Sequence, residues 1–363
     1  MRYSWPLFGA CTAAAWLLMK QLTTSFYPSL FVDAGLLVLA AAAGDLLVKL
    51  AVNLLPRRLL PDLQRKAVLI TGCDSGFGHM CAKRLDALGV TVYAGCLFPE
   101  GAGAAQLKAA ASSRLHVVPL DVTRDEDVRR AVEYVKQTIG DKDMWAVVNN
   151  AGILSGGEVE WTSMEMVYKV FEVNTFGMVR VTKAFLSLIR ESHGRVVCIA
   201  SMAGRLTSPG LVPYCMSKHA VVSFYEGLRR EVKKWSVSVH GIEPYFYKTN
   251  LFKEENVRGI SQETWEKSSK EVRDMYGDEY YKYGLEQCLQ VLQKKCSTNL
   301  HAVVDDMVDA AVGLTPKMRY VPGFLDQLEP RIMMLIPSDI MDYIVDVIVP
   351  LKPPSALQDK KKA

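Results

Sequence analysis

The chain reads as an α/β protein, a doubly wound parallel sheet with apolar helices before it and a partly apolar extension after it. Three observations predict this. Between Lys66 and Ile242, short apolar runs alternate with stretches of helical spacing, as strands joined by crossover helices do. The runs are continuously apolar rather than alternating, which marks strands buried on both faces. Several end in small or polar residues (Thr71-Gly72, Asp121, Asn149-Asn150, Ser201), at the carboxyl edge where such sheets bind ligands.

The elements follow in order. Tyr3 to Met19 carries no charge between Arg2 and Lys20 and is just long enough to span a bilayer. Leu30 to Leu55 is longer but holds Asp33, Asp45 and Lys49. Those charges are costly at a bilayer centre, so the stretch tilts, pairs with the first as a hairpin, or lies partly at the interface. No small-x-small site closely follows the first stretch, which favours retained membrane-anchor helices over a cleaved signal. Arg57, Arg58, Arg65 and Lys66 then place the next domain on the cytoplasmic side, if the stretch spans. Ala67 to Ile70 reads as the first strand and Phe77 to Leu88 as a helix. Val90 to Cys96 and Leu115 to Leu120 are the second and third strands. Asp125 to Ile139 is an amphipathic helix whose first-turn acids suit the macrodipole. Trp145 to Val148 is the fourth strand, Met164 to Ile189 one long helical stretch, and Arg195 to Ile199 the fifth strand. Pro213 to Lys234 is helical and Val237 to Ile242 is the sixth strand. Leu251 to Asn299 is irregular and rich in Tyr, Glu and Lys. Ile332 to Leu351 is apolar with amphipathic character, fit for a substrate-entry flap or a helix lying on a membrane.

At 363 residues the chain has room for one large α/β domain and its appendages. Half of it is hydrophobic, with the excess near the N-terminus. The net charge of +4 is small and gathers into no basic stripe, which removes the electrostatic case for nucleic acid. Eight scattered cysteines form no Cys-x-x-Cys pair, so neither a zinc site nor a redox motif is expected. Unpaired thiols in a reducing compartment fit that spacing.

The turn Thr71-Gly72-Cys73-Asp74-Ser75-Gly76-Phe77-Gly78 lies between a strand and a helix. Gly72 permits the tight turn, Gly76 lets backbone approach a pyrophosphate, and Gly78 lets helix and strand pack closely. The helix N-terminus adds free N–H groups and positive potential, and Ser75 and Phe77 stand at it. A dinucleotide site is expected here. Asp74 is acidic and no base accompanies it, and the second strand ends Gly95-Cys96-Leu97 without an acid or base. A 2′-phosphate would meet repulsion, so NAD is preferred to NADP. Asp121 closes the third strand, where it can hold the adenine amino group, the favoured reading, or cap the following turn.

Tyr214 and Lys218 lie four apart on one helix face. A proton-transferring phenol needs a pKa well below its ordinary value near 10, and a nearby ammonium favours phenolate. Lys218 can also hold ribose hydroxyls. Ser201 ends the fifth strand and can steady charge developing on a substrate oxygen. Among fifteen tyrosines one Tyr-x-x-x-Lys match arises by chance. Its weight comes from its place after the fifth strand, with Ser201 and the glycine turn upstream.

With Asn149-Asn150-Ala151-Gly152, Asn174, Ser201, Tyr214 and Lys218, the chain resembles the classical short-chain dehydrogenase/reductase family, strongly from Lys66 to Thr249 and weakly to Tyr320. The resemblance implies a Rossmann-type fold and a catalytic tetrad of Asn174, Ser201, Tyr214 and Lys218. By it, Asn174 holds a water relayed to Lys218, and Asn149, Ala151 and Gly152 support the sheet and pass near the cofactor ribose. Thr249 matches the threonine that reaches the nicotinamide carboxamide. Pro244-Tyr245 stands where the family has Pro-Gly, so the Pro244 contact meets a ring and a β-carbon. Glycine-turn, Cys296-to-Leu300 and Arg319-Tyr320 motifs resemble retinol and hydroxysteroid dehydrogenases. Tyr93 to Leu97 and Gly157 to Glu160 also resemble D-3-hydroxybutyrate dehydrogenase. The Lys360-Lys361-Lys362 tail resembles a retrieval signal for the endoplasmic reticulum.

Residues 1–60 are therefore read as a membrane-anchor segment and 61–320 as the dehydrogenase domain, its substrate covered by about 245–320. Residues 321–363 form a C-terminal helical extension with a basic tail. The expected activity is NAD-dependent interconversion of an alcohol and its carbonyl on a lipophilic substrate, a retinoid or hydroxysteroid. The expected place is a membrane, the endoplasmic reticulum, with the catalytic domain facing the cytosol. D-3-hydroxybutyrate oxidation is the alternative reaction, and a silent cofactor-binding scaffold the alternative class. Membrane lipid is an expected partner, and a homodimer is an assembly the sequence leaves open. His79, His219, Trp161, Phe171 and Phe176 are read as packing residues.

Overall fold

The computed structural model describes residues 5–23, 30–54 and 56–323, with scattered positions between 332 and 359. The chain divides into two compact units: Met1–Leu60 with Val312–Lys317, and Pro61–Ala311 with Met318–Ala363.

In the first unit the two apolar stretches form helices α1 (Trp5–Thr23) and α2 (Leu30–Leu54), packed side by side. Leu36, Ala40 and Val48, spaced by multiples of four, are buried along α2. A β-carbon at Gly44 would come within 2.5 Å of Thr12 Oγ1, so glycine sets how closely the helices approach. Leu17, Leu18, Leu37, Leu39 and Leu47 are exposed. Among the described residues no helix is long and apolar enough to cross a membrane. Beyond α2, Leu59 bridges Gly313 in antiparallel fashion, and Leu314 N donates to Arg58 O at 2.7 Å.

The second unit holds a seven-stranded sheet, parallel throughout, in the order β3-β2-β1-β4-β5-β6-β7. The strands are β1 (Lys66–Thr71), β2 (Thr91–Cys96), β3 (Leu115–Pro119), β4 (Asp143–Asn149), β5 (Arg195–Ile199), β6 (Ser238–Ile242) and β7 (Arg319–Tyr320). Between them run α3 (Gly76–Ala87), α4 (Ala102–Ala110), α5 (Asp125–Thr138), α6 (Met164–Phe171), α7 (Gly177–Glu191) and α8 (Val212–Val232). Strand order reverses between β1 and β4, which opens a crevice at their carboxyl ends. A hydrophobic core cluster joins Leu69, Tyr93, Val147 and Val196 of the sheet to Val135, Phe185 and Tyr225 of α5, α7 and α8.

Six strands and their helices stand where the apolar runs place them. The differences are physical. α4 has an alanine- and glycine-rich sequence with no apolar period, and so gives no helical signal. The stretch 251–299 is not irregular: it contains α9 (Glu254–Lys267), α10 (Lys270–Tyr276) and α11 (Asp278–Lys295). Each buries few residues and is polar over most of its surface, which hides the period. α12 (Leu300–Val312) leads to β7, whose two residues carry no pattern. The long helical stretch from Met164 is interrupted: residues Glu172–Phe176 form a π-helical turn between α6 and α7. Most of Ile332 to Leu351 and the Lys360–Lys362 tail lie outside the described residues.

Candidate active site

The glycine turn passes from β1 into α3. Gly72 and Gly76 have φ of +70° and +62°, conformations that other L-residues rarely adopt. A β-carbon at Gly72 would lie 2.9 Å from Ala151 Cα, so the turn needs that hydrogen to sit against the end of β4. At Gly76 the nearest atoms belong to Thr249, 3.7 Å away across the cleft. Asn150 ties the two loops together. Its Nδ2 donates to Thr71 O at 2.9 Å and Gly72 O at 3.1 Å, while Thr71 Oγ1 accepts from the amides of Asn150 and Ala151. Gly78 lacks room for a side chain beside Asn150 Nδ2 and Gly72 O.

A cleft of about 490 Å³ opens here. Of the expected residues it is lined by Gly72, Asp74, Ser75, Gly76, Phe77, Asp121, Ala151, Gly152, Ser201, Tyr214, Lys218, Pro244 and Thr249. Gly78, Asn149 and Asn174 stand behind it. Asn149 turns inward and donates to Thr182 Oγ1 at 2.9 Å. Leu97 and Asn150, from the motifs at the ends of the second and fourth strands, also line the cleft, with Phe98, Val122, Tyr247 and Asn256, which carry no motif that marks them in the sequence. The open turn, the glycine conformations and the helix start of α3 fit a dinucleotide. Asp74 accepts from Leu97 N at 3.0 Å and Phe98 N at 2.8 Å, which anchors the end of β2 over the turn. Asp121 Oδ1 accepts from Thr123 N and Thr123 Oγ1, so this carboxylate caps its own turn. Lys218 is the only cation among the described lining residues.

Tyr214, Ser201 and Lys218 meet in the cleft wall, 4%, 8% and 4% exposed. Lys218 Nζ donates to Ile199 O at 3.0 Å and lies 5.7 Å from the centre of the Tyr214 ring. Burial pulls its ammonium down to about 8, with Cys198 opposing. The Tyr214 phenol is not lowered by this neighbour: burial raises it, and a hydrogen bond with Ser201 works against that. Ser201 Oγ donates to Pro244 O at 3.3 Å and accepts from Ala203 N at 3.1 Å, starting a short 3₁₀ turn. Asn174 sits inside the π-helical turn, fully buried. Its side chain brackets Ile153, accepting from Ile153 N at 2.8 Å and donating to Ile153 O at 3.0 Å. A β-carbon at Gly152 would lie 3.3 Å from Asn174 Oδ1 and 3.7 Å from Lys218 Nζ, which leaves a small polar space between them.

Tyr245 lines the cleft with its ring centre 4.5 Å from Phe246. Among the described residues its backbone is not one of the positive-φ non-glycine positions, so the β-carbon brings no strain. Phe246 and Phe252 belong to an apolar cluster with Leu154, Tyr214, Val257, Leu289 and Leu292. Trp161 is a packing residue, edge-on to Trp265 and Tyr276. Phe176, by contrast, is 50% exposed and is not core. His79 and His219 donate from Nδ1 to Cys73 O at 3.3 Å and Cys215 O at 2.9 Å. All eight cysteines are unpaired.

The model of the short chain dehydrogenase family matches residues 66–259. Retinol dehydrogenase 16 of Rattus norvegicus is 39% identical over 303 residues, 83% of this chain and 94% of that protein. Mitochondrial D-beta-hydroxybutyrate dehydrogenase of Rattus norvegicus is 40% identical over 289 residues, covering 77% and 83%. The 17-beta-hydroxysteroid dehydrogenase type 6 of Bos taurus is 37% identical over 290 residues, covering 80% and 90%. A short chain dehydrogenase/reductase from Burkholderia phymatum, solved with NAD, has a TM-score of 0.61 at 22% identity, covering 82% of this chain and 99% of its own. A short chain dehydrogenase from Burkholderia cenocepacia J2315, solved with NADP, has a TM-score of 0.55 at 21% identity, covering 77% and 96%.

Proposed function

Because the chain belongs to the short-chain dehydrogenase family and is an oxidoreductase of the alcohol dehydrogenase type, we propose that it interconverts a lipophilic secondary or primary alcohol and its carbonyl with NAD, at Tyr214. One observation carries the reading. Tyr214 and Ser201 share a cleft with a single described cation, and the ring of Tyr214 packs into an apolar cluster. A bound nicotinamide dinucleotide supplies hydride acceptance from the alcohol carbon, or donation in reverse. Tyr214 takes the hydroxyl proton at its phenol oxygen, and Ser201 Oγ orients the substrate oxygen once it leaves Pro244 O. Lys218 and a dinucleotide's positive ring together supply the charge that makes a buried phenol acidic. Asn174 keeps the Ile153 loop and the space beside Lys218 in place.

NAD is preferred to NADP because Asp74 and Asp121 bring negative charge to the cleft and no described base answers a 2′-phosphate. A retinoid or hydroxysteroid suits an apolar pocket. D-3-hydroxybutyrate suits it less: its carboxylate needs a cation, and Lys218 is already committed to Ile199 O. Membrane association through residues 1–60, in the endoplasmic reticulum with 61–320 on the cytosolic face and 321–363 as an extension, fits the exposed leucines of α1 and α2.

The test is reduction of NAD⁺ and NADP⁺ by the purified full chain with retinol, estradiol, androstanediol and 3-hydroxybutyrate. Turnover of a retinoid or steroid with NAD⁺ is expected. Tyr214→Phe should lower kcat by about 10²–10⁴-fold and leave NADH binding intact. Turnover retained in that variant removes Tyr214 from the reaction. Turnover of 3-hydroxybutyrate alone replaces the substrate class.

A further inference from the structure

We propose that two buried serines, Ser155 and Ser217, are positioning residues that clamp the backbone of Tyr214 from both sides and thereby aim its phenol. This rests on the reading of Tyr214 as the acid/base group. Tyr214 is the third residue of α8, where a backbone N–H has no partner within the helix. The first such bond is from Cys215 N to Leu211 O at 2.9 Å, and Leu211 at the cap has no side-chain acceptor. The missing acceptor comes from elsewhere in the chain: Ser155 Oγ, in the loop after β4, takes the Tyr214 N–H at 3.1 Å. One turn on, Ser217 Oγ donates to Tyr214 O at 2.7 Å.

Ser217 is not free to turn. Its Oγ accepts from Asn174 Nδ2 at 3.0 Å, and Asn174 brackets Ile153. Both peptide groups of Tyr214 thus trace to one short loop, Ile153 to Ser155, the first directly and the second through the π-helical turn. Ser155 and Ser217 are 1% and 0% exposed, so no water competes for these bonds. The phenol oxygen is the far end of a stiff side chain. A tilt of the first turn of α8 therefore moves it bodily, and misplacement of about 1 Å costs on the order of 10²-fold in rate.

The experiment compares Ser155→Ala, Ser155→Thr and Ser217→Ala in the full chain. It reads NAD⁺ reduction with the alcohol turned over best, the pH–rate profile, NADH binding, and hydrogen exchange over residues 211–218. Ser155→Ala should lower kcat by about 10- to 100-fold, with KM for NAD⁺ and NADH binding unchanged. It should also shift the pH–rate profile and speed exchange at the Tyr214 amide. Ser155→Thr, which restores the hydroxyl, should recover kcat. Should Ser155→Ala fail to fold, Ser217→Ala removes the other half of the clamp and is read in the same way. Unchanged kcat and pH profile overturns the clamp, as does a loss shared equally with NADH affinity or one that threonine does not rescue. If the wild-type chain turns over no alcohol, the functional reading falls alone. Exchange at the Tyr214 amide then decides the clamp, and equal protection in wild type and Ser155→Ala overturns it.

Discussion

Lys218 has a side chain that is charged in water, yet it sits 4% exposed and donates to the backbone carbonyl of Ile199. The spacing Tyr-x-x-x-Lys is visible in the sequence; the burial that governs both groups is not, because it depends on β5 and the Ile153 loop closing over them. Burial brings Lys218 from its ordinary 10.5 to about 8. Between those values the unfolded chain binds a proton that the folded chain does not, so this residue makes stability rise with pH across the window and fall as pH drops through 8. Melting temperatures of wild type and Lys218→Met, measured from pH 7 to 10.5, should show wild type gaining on the variant through that interval. A constant difference would contradict the burial of this charge. The Tyr214 phenol teaches the same lesson in reverse: the sequence puts an ammonium near it, whereas in the folded chain burial raises the phenol and the hydrogen bond with Ser201 opposes that.

At the scale of elements, strands were the most legible part. β5 spans Arg195–Ile199, the apolar run itself, because a strand buried on both faces has only one composition open to it. Helix α4 and the π-helical turn were not legible. α4 lacks an apolar period, and a π turn has no sequence signature, although it places Asn174 against Ile153 and Ser217. α4 nevertheless bears on the cofactor site. A β-carbon on Gly103 would stand 1.9 Å from the backbone oxygen of Asp74, inside the glycine turn. Gly103→Ala should destabilise the protein by about 1–3 kcal/mol and weaken NADH binding, read by denaturant melts and fluorescence titration. Gly227→Ala in α8, where nothing lies within 4 Å, should instead be stabilising by about 0.5–1 kcal/mol. Equal effects from the two would mean that Gly103 does not pack as described.

For the molecule as a whole, the two apolar stretches and the catalytic region were separable on composition alone. The proposed anchoring has a direct check: the full chain expressed in cells should stay with the membrane pellet after alkaline carbonate extraction, and protease should reach residues 61–320 from the cytosolic side. Release by carbonate would count against embedding of α1 and α2. The region after β6 was the poorest part of the reading. α9, α10 and α11 are held by tertiary contacts such as Tyr280 Oη to Glu158 at 2.7 Å and the Trp161–Trp265 pair, partners more than a hundred residues apart in the chain.

The sequence by itself determined the parallel sheet and the glycine turn and singled out Tyr214, Lys218 and Ser201 as candidates, because each is a local matter of apolar period, backbone freedom or spacing. Only the tertiary structure decided which neighbours those groups meet. It turned Asn149 inward and brought Asn150 to the glycine turn in its place. It placed Ser155 and Ser217 on the two sides of Tyr214 and emptied the cleft of described cations other than Lys218. Those are contacts between segments distant along the chain, set by how strands stack and loops close, and no local pattern records them.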